Sequence, residues 1–212
     1  MTLLTSSKNC LSTFNVKTIE LFCGTKSFST VAQSLGHETL TVDNDPTHNP
    51  DLCRNIMDIN IKIPIDILWA SPPCQGFSVA CIGRNWNRDR SPKTASAKLA
   101  MDLALKTIEI IEATKPKYWF IENPVGMLRK MPFMQKYHRK TVTYCQYGDS
   151  RMKPTDIWTN FVFWNTRPRC SPGAKCHVQA PRGSRTGTQG LKNAKERGRI
   201  PEQLFIELFK QM

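Results

Sequence analysis

Ile65-Asp66-Ile67-Leu68-Trp69-Ala70-Ser71-Pro72-Pro73-Cys74-Gln75-Gly76-Phe77-Ser78 is a short apolar run that breaks into a proline-stiffened turn carrying a cysteine. The run has the length and composition of a buried strand. Two prolines restrict the backbone after it, so Cys74 is held out where the strand ends. In open α/β sheets that carboxyl edge is where ligands bind. Taken alone, a Pro-Cys turn is most simply a surface loop that happens to hold one of eight cysteines. A second run adds weight: Lys117-Tyr118-Trp119-Phe120-Ile121-Glu122-Asn123-Pro124 delivers an acid and an amide at its end. Between the two, residues 94–114 carry Leu99, Met101, Leu103, Ala104, Ile108 and Ile111 at helical spacing. A strand, a helix of about five turns and a second strand make one right-handed crossover. Cys74 and Glu122 then share the carboxyl edge of one sheet.

The amino-terminal part repeats the pattern. Val16-Lys17-Thr18-Ile19-Glu20-Leu21-Phe22 reads as a first strand and Cys23-Gly24-Thr25-Lys26-Ser27 as a tight turn. A helix follows to about Leu35, capped by Ser27 or Ser29 and stopped by Gly36. Thr39-Leu40-Thr41-Val42 reads as a second strand ending in Asp43-Asn44-Asp45-Pro46. An acid at that position commonly takes ribose hydroxyls in doubly wound nucleotide folds, which makes Asp43 a candidate. The expected fold is α/β and Rossmann-like. It is a doubly wound, mostly parallel sheet of about six or seven strands with helices on both faces.

These motifs, in this order, resemble those of DNA (cytosine-5)-methyltransferases. Pro73-Cys74-Gln75 is similar to the family's Pro-Cys-Gln motif, and Glu122-Asn123 to its Glu-Asn-Val, with Pro124 replacing the valine. The resemblance implies a class I methyltransferase fold with one antiparallel strand near the carboxyl end. It also implies S-adenosylmethionine as cofactor, and DNA with a flipped-out cytosine as partner. Carbon 5 of cytosine is a poor nucleophile until something adds to carbon 6. A thiolate adds readily and leaves again. By resemblance Cys74 is that nucleophile, and Glu122 holds ring N3 with a shared or bound proton.

The same resemblance assigns a cofactor site. Phe22-Cys23-Gly24-Thr25-Lys26 stands where the family has Phe-x-Gly-x-Gly, so Lys26 replaces the second glycine. Asp58-Ile59 resembles the third motif, whose acid meets the adenine. The expected cofactor residues are Phe22, Cys23, Gly24, Thr25, Asp43, Asp58, Ile59 and Pro72. Aligned on Tyr147-Gly148, the eighth motif has Arg151, Lys153 and Thr155 for its Gln and two Arg residues. Arg151 and Lys153 thereby join Cys74 and Glu122 as expected catalytic side chains.

The formal charge of +13, from 30 Lys and Arg against 17 Asp and Glu, favours a polyanionic partner. One basic group follows the cysteine: Arg84, Arg88 and Arg90, with Trp86 among them. In related enzymes this is a mobile loop that closes over the base, so Trp86 is weighed as a base-stacking residue against an ordinary surface tryptophan. Gln75, Ser78, Arg84, Trp86, Arg88, Arg90, Arg182 and Arg185 form the expected DNA-binding set. The last two belong to a basic tail running from Arg167 to Arg199. Residues 1–165 read as the catalytic domain. Residues 166–212 read as a basic, loop-rich tail with a closing helix after Pro201, a reduced substitute for the family's target-recognition region. In this the chain resembles the short methylases of bacteriophages. Lys26 and Arg199 would place two cations near the donor's amino-acid end, though surface placement of both is simpler. The alternatives kept open are a catalytically degenerate DNA-binding relative, and a variant acting on RNA cytosine or with a modified donor.

The 212 residues suit one good domain. The sequence has no run long enough to span a bilayer and no apolar signal segment at its start. It reads as soluble, cytoplasmic and, by analogy with the phage relatives, acting in a host cell. Its cysteines are then expected to be reduced. Cys170-x5-Cys176-His177, with Cys145 as a further donor, matches no common zinc spacing. The expectation is no metal.

Overall fold

A computed structural model describes residues 16–179 and 193–212, so Arg182 and Arg185 lie outside the described residues. Seven strands form one sheet: β1 (Lys17–Leu21), β2 (Glu38–Asp43), β3 (Leu52–Cys53), β4 (Ile67–Ala70), β5 (Tyr118–Pro124), β6 (Arg139–Thr143) and β7 (Pro154–Thr159). Their order is β3-β2-β1-β4-β5-β7-β6. The first five are parallel, and β7 runs antiparallel between β5 and β6. This is the doubly wound, mostly parallel sheet that was expected. The strand order reverses between β1 and β4, so the turns that follow these two strands flank the switch point where such sheets bind ligands.

Five helices accompany the sheet among the described residues: α1 (Ser27–Ser34), α2 (Ile82–Asn85), α3 (Ala95–Thr114), α4 (Ala194–Gly198) and α5 (Glu202–Phe209). Side chains alternate along the central strands. Leu68, Ala70, Trp119 and Ile121 face Ala97, Ala100, Ala104 and Ile108 of α3. Ile67, Trp69 and Phe120 face Phe28 and Val31 of α1 and Leu204, Phe205 and Leu208 of α5. Trp69 centres the second layer, with its ring centroid 5.8 Å from Phe28, 5.6 Å from Phe120 and 4.8 Å from Phe205. The closing helix expected after Pro201 is therefore built into the core of the sheet.

Two local expectations fail for identifiable reasons. The apolar alternation after Asp156 suggests a strand to Trp164, but β7 stops at Thr159. There the Asn160 side chain takes over the pairing with the start of β5. Its Oδ1 accepts from the Trp119 amide at 3.0 Å and its Nδ2 donates to the Lys117 carbonyl at 2.9 Å. The chain then turns, and Trp164 packs edge-on against Phe120.

The second concerns α1, which neither Ser27 nor Ser29 caps. Lys26 holds the cap position in a left-handed conformation with φ of 54°. The free amides at the helix start go instead to Glu20, a buried acid one residue before the end of β1. Its carboxylate accepts from Phe28 N at 3.3 Å, Ser29 N at 2.9 Å and Ser29 Oγ at 2.6 Å. An acid at a helix amino end meets both unpaired N–H groups and the positive end of the helix dipole.

Burial pushes the Glu20 carboxyl from 4.5 up to about 7, outweighing the hydrogen bonds that favour its charge. Because the folded pKa is raised, the contribution of Glu20 is complete below the unfolded value and fades as pH climbs through about 7. Glu20→Gln, which does not titrate, should therefore gain on the wild type as pH rises. The stability gap should change by about 3 kcal/mol between about pH 5 and about pH 8. Urea unfolding of both proteins at the two pH values measures it, and a constant gap would refute this titration.

Candidate active site

Cys74 opens a single tight turn, Cys74–Gly76, immediately beyond β4. Its amide neighbours close the turn, with Phe77 N and Ser78 N both donating to the Cys74 carbonyl. The turn lies directly on α3. A Cβ added at Gly76 would sit 2.3 Å from Ala100 Cβ, so only glycine fits. On its other side the turn meets the loop after β5. Met127 N donates to Phe77 O at 2.7 Å, and Ser78 pairs with Gly126 in a short bridge.

Glu122 reaches the same edge from β5. It is buried, and Tyr144 Oη donates to its Oε1 at 2.9 Å. The next residue ties the two strand ends together, because Asn123 Nδ2 donates to the Pro72 carbonyl at 2.8 Å. The other side-chain atom, Asn123 Oδ1, is buried without a hydrogen-bond partner among the described residues. Burial raises the Cys74 thiol above its ordinary value of 9.0, and the nearby Glu122 charge adds to the rise. Lys153 works in the opposite direction, drawing the thiol back toward its thiolate. Its Nζ lies 4.7 Å from the Tyr144 ring centroid and donates to the Arg197 carbonyl at 3.0 Å. Thiol, acid and cation thus share one electrostatic neighbourhood. Tyr144 is the member that sequence reasoning missed. Its only sign was a tyrosine just ahead of the eighth motif.

Arg151, expected among the catalytic side chains, is used otherwise. It is buried, paired with the Asp149 carboxylate, and donates to the carbonyls of Glu196, Arg197 and Arg199. Those bonds commit its guanidinium to holding the carboxyl-terminal segment against the entrance of β7. It is a positioning residue.

On the other side of the switch point, four of the expected cofactor residues, Phe22, Cys23, Gly24 and Thr25, form the turn after β1, with Asp43 at the end of β2 beside them, while Pro72 follows β4. Phe22 and Gly24 both have positive φ, at 57° and 44°. Gly24 N donates to Asp43 Oδ2 at 2.9 Å, and Asp45 N donates to its Oδ1 at 3.0 Å. Each Asp43 oxygen keeps a lone pair for a further donor. Burial lifts the Cys23 thiol to about 12, so it stays a packing residue. Thr25 Oγ1 pairs with Ser27 Oγ at 2.7 Å. Asp58 is exposed at the end of a turn beyond β3, while Ile59 is buried in the core. A cleft of about 490 Å3 opens between Thr25, Ser27 and Thr30 on one wall and Glu196, Arg199 and Glu202 on the other. Lys26 turns its ammonium to the Asn49 carbonyl, and Arg199 pairs with Glu202 at 3.5 Å. Arg199 therefore lines the cleft, while the Lys26 ammonium is spent on Asn49.

The expected DNA-facing residues divide. Gln75, Arg84 and Arg88 are exposed, and Ser78 is half-buried with its Oγ 3.2 Å from Cys81 Sγ. Arg90 is exposed and donates to the Lys130 carbonyl at 3.0 Å. Trp86 departs from the base-stacking reading. It is 4% exposed, stacks on Phe77 at 5.5 Å and donates its indole N–H to the Gly76 carbonyl at 2.8 Å. Its role is to brace the turn that carries Cys74.

Strand order, the reversed seventh strand and a ligand edge built from the first, second and fourth strands define a Rossmann-like methyltransferase fold. The family model for C-5 cytosine-specific DNA methylases matches residues 16–142. The chain belongs to that family. It is 29% identical over 213 residues to the "Probable DNA (cytosine-5)-methyltransferase" of Frog virus 3 (isolate Goorha), covering 91% of this chain and 98% of the viral one. Among solved structures it is similar to the Entamoeba histolytica methyltransferase EhMeth, with TM-score 0.52 and 17% identity over 72% of this chain and 55% of that one. It also resembles a prophage-encoded E. coli protein described as a DNA modification methyltransferase, with TM-score 0.51 and 18% identity over 68% of this chain and 46% of that one. The chain thus spans about half the length of each of these structural neighbours.

The electrostatics of Cys74 can be read directly. A raised thiol pKa means that alkylation by iodoacetamide, followed at the Cys74 peptide by mass spectrometry, should accelerate with pH up to and beyond about 9. Glu122→Gln removes a charge that raises the pKa and should move the profile to lower pH. Lys153→Met should move it the other way. Profiles that coincide in all three proteins would show that neither group acts on the thiol.

Proposed function

We propose that the protein transfers a methyl group from S-adenosylmethionine to carbon 5 of cytosine in DNA, through a covalent cysteine adduct at carbon 6. The observation that carries this reading is the pairing of the Cys74 thiol with the buried Glu122 carboxyl at the ends of adjacent parallel strands. Their electrostatic coupling supports it. A binding module would need neither group.

The steps use those residues in turn. Cys74 adds as thiolate to carbon 6 of a cytosine extruded from the helix. Lys153 favours that thiolate, and Glu122, steadied by Tyr144, gives ring N3 a proton or shares one with it. This leaves carbon 5 electron-rich. When bound, S-adenosylmethionine would supply an electrophilic sulfonium methyl there. Loss of the carbon 5 proton to water then expels Cys74 as thiolate, and ring N3 gives its proton back to Glu122, which restores the aromatic ring.

The site's donor set fits this cofactor. Asp43 would take the ribose hydroxyls with its remaining lone pairs, exposed Asp58 would meet the adenine, and the Gly24–Thr25 turn would face the methionine part. DNA as the substrate is supported by the family and by the excess of basic residues, with exposed Arg84 and Arg88 beside the Cys74 turn. Contacts from these arginines to phosphate would position the duplex without reading its sequence.

The decisive experiment incubates the purified protein with duplex DNA and S-adenosylmethionine, then digests the DNA and analyses its nucleosides by mass spectrometry. 5-Methylcytosine is expected. An unmodified digest despite donor binding would overturn DNA cytosine as the substrate, and RNA would be tested next. Cys74→Ser should abolish turnover while DNA affinity persists. Glu122→Gln should slow the chemical step by about two orders of magnitude or more.

A further inference from the structure

Four metal-type donors that the catalytic site leaves unused meet beside the end of β6. Cys145 is buried in the turn Tyr144–Tyr147 that follows this strand. Cys170, Cys176 and His177 come from the segment beyond Trp164. The Sγ atoms of Cys170 and Cys176 are 3.2 Å apart, and His177 Nδ1 lies 3.5 Å from the first and 3.6 Å from the second. All four donor atoms lie within 4.8 Å of one another.

Neither a disulfide nor hydrogen bonding accounts for this gathering. The cysteines are free, and a disulfide would need its sulfurs about 2.0 Å apart. Thiols are weak donors and weak acceptors, so three thiols and an imidazole at one point gain little from each other. A tetrahedral zinc ion changes that. With Zn–S near 2.3 Å and Zn–N near 2.0 Å, neighbouring ligand atoms stand roughly 3.5 to 3.8 Å apart. The three separations among Cys170, Cys176 and His177, 3.2 to 3.6 Å, lie close to this range, and Cys145 Sγ is within 4.8 Å of each of them. An outer contact of the kind metal thiolates attract is present too, since Gln146 Nε2 donates to Cys176 Sγ at 3.5 Å.

We propose that Cys145, Cys170, Cys176 and His177 form a structural zinc site. Four protein ligands close the coordination shell, which suits a structural ion and leaves no position for a reacting water. Three thiolates select a thiophilic metal over magnesium or calcium. The ion would add a cross-link between two pieces of chain that hydrogen bonds already bring together: Cys170 N donates to Thr143 Oγ1 at 2.9 Å, Val178 N to the Ser150 carbonyl at 2.8 Å, Arg167 N to Tyr147 Oη at 2.9 Å, and the Arg167 guanidinium to the Gln146 carbonyl. One piece contains Tyr144, which holds Glu122. The other leads into the basic stretch with Arg182 and Arg185. Zinc therefore fixes the start of the basic tail on the turn that supports Glu122.

The test measures metal in the full chain purified under reducing conditions and reconstituted with zinc. About one zinc per chain is expected by inductively coupled plasma mass spectrometry. Cobalt(II) in its place should give the visible absorption of a tetrahedral thiolate site. Cys176→Ser should lose the metal, whereas His177→Cys keeps four donors and should retain it, which separates loss of the site from failure to fold. Cys53→Ser, outside the cluster, should bind like the wild type. Chelation should lower the melting temperature of the wild type and leave Cys176→Ser unmoved. Less than roughly a tenth of an equivalent of bound zinc, a Cys170–Cys176 disulfide in its place, or undiminished binding by Cys176→Ser would overturn the proposal. None of these readouts depends on methyl transfer.

Discussion

One buried amide sets the geometry of the whole site. The ladder between β4 and β5 ends at Ala70 and Ile121, and beyond it each chain is free to diverge. The Asn123 Nδ2 bond to the Pro72 carbonyl prevents that. Asn123 has no alternative orientation there, because only its amino group can donate to a carbonyl. The bond fixes the two residues on either side of it, Cys74 two positions past Pro72 and Glu122 one before Asn123. Packing then locks the turn from two more directions. Gly76 lies against α3, and a Cβ at Gly126 would stand 2.3 Å from the Phe77 carbonyl oxygen. Close contact in a dense interior transmits displacement rather than absorbing it. A shift of α3 or of the loop after β5 would therefore move Cys74.

The carboxyl-terminal segment is attached by a different kind of force. Its hydrophobic anchor is α5, but between Glu196 and Arg199 it turns a run of backbone carbonyl groups toward the protein. Arg151 collects three of them and Lys153 a fourth bond, all from one short approach to β7. A buried guanidinium needs a counter-charge, and Asp149 supplies it. The eighth motif thus divides its cations. Arg151 is spent on structure, while Lys153 keeps its charge within reach of Cys74. A lysine suffices for that second task, because a point charge acts on a thiol without the directional fork that a guanidinium provides.

The central strands were legible because parallel strands buried on both faces are written as continuous apolar runs, and Ile67–Ala70 and Tyr118–Ile121 are such runs. The motifs at their ends were legible because turns at a sheet edge draw on few residue types. What escaped depended on partners in a neighbouring element rather than on the local pattern. Glu20 looks like a polar interruption in β1 until the start of α1 arrives to use it. Trp86 sits among Arg, Asn and Asp residues that suggest solvent, yet the Gly76 carbonyl and Phe77 give its ring a buried place. The cysteine cluster defeats a spacing rule for the same reason. Cys145 lies in the turn after β6 and the other donors beyond Trp164, so only the fold brings them together.

In the turn after β1 a lysine holds a backbone conformation that glycine favours. Lys26 stands where the related motif has its second glycine, yet it adopts the left-handed conformation that glycine takes without penalty. Phe22 does the same four residues earlier. Each costs of order 1 kcal/mol or more, so the surroundings must over-determine the turn. They do: Glu20 grips the helix amides on one side, Asp43 takes the Gly24 amide on the other, and the Lys26 ammonium is tied to Asn49. A glycine would relax the strain but surrender that last tie. The lysine therefore accepts a strained backbone and in return fastens the turn to β2's outgoing loop through Asn49.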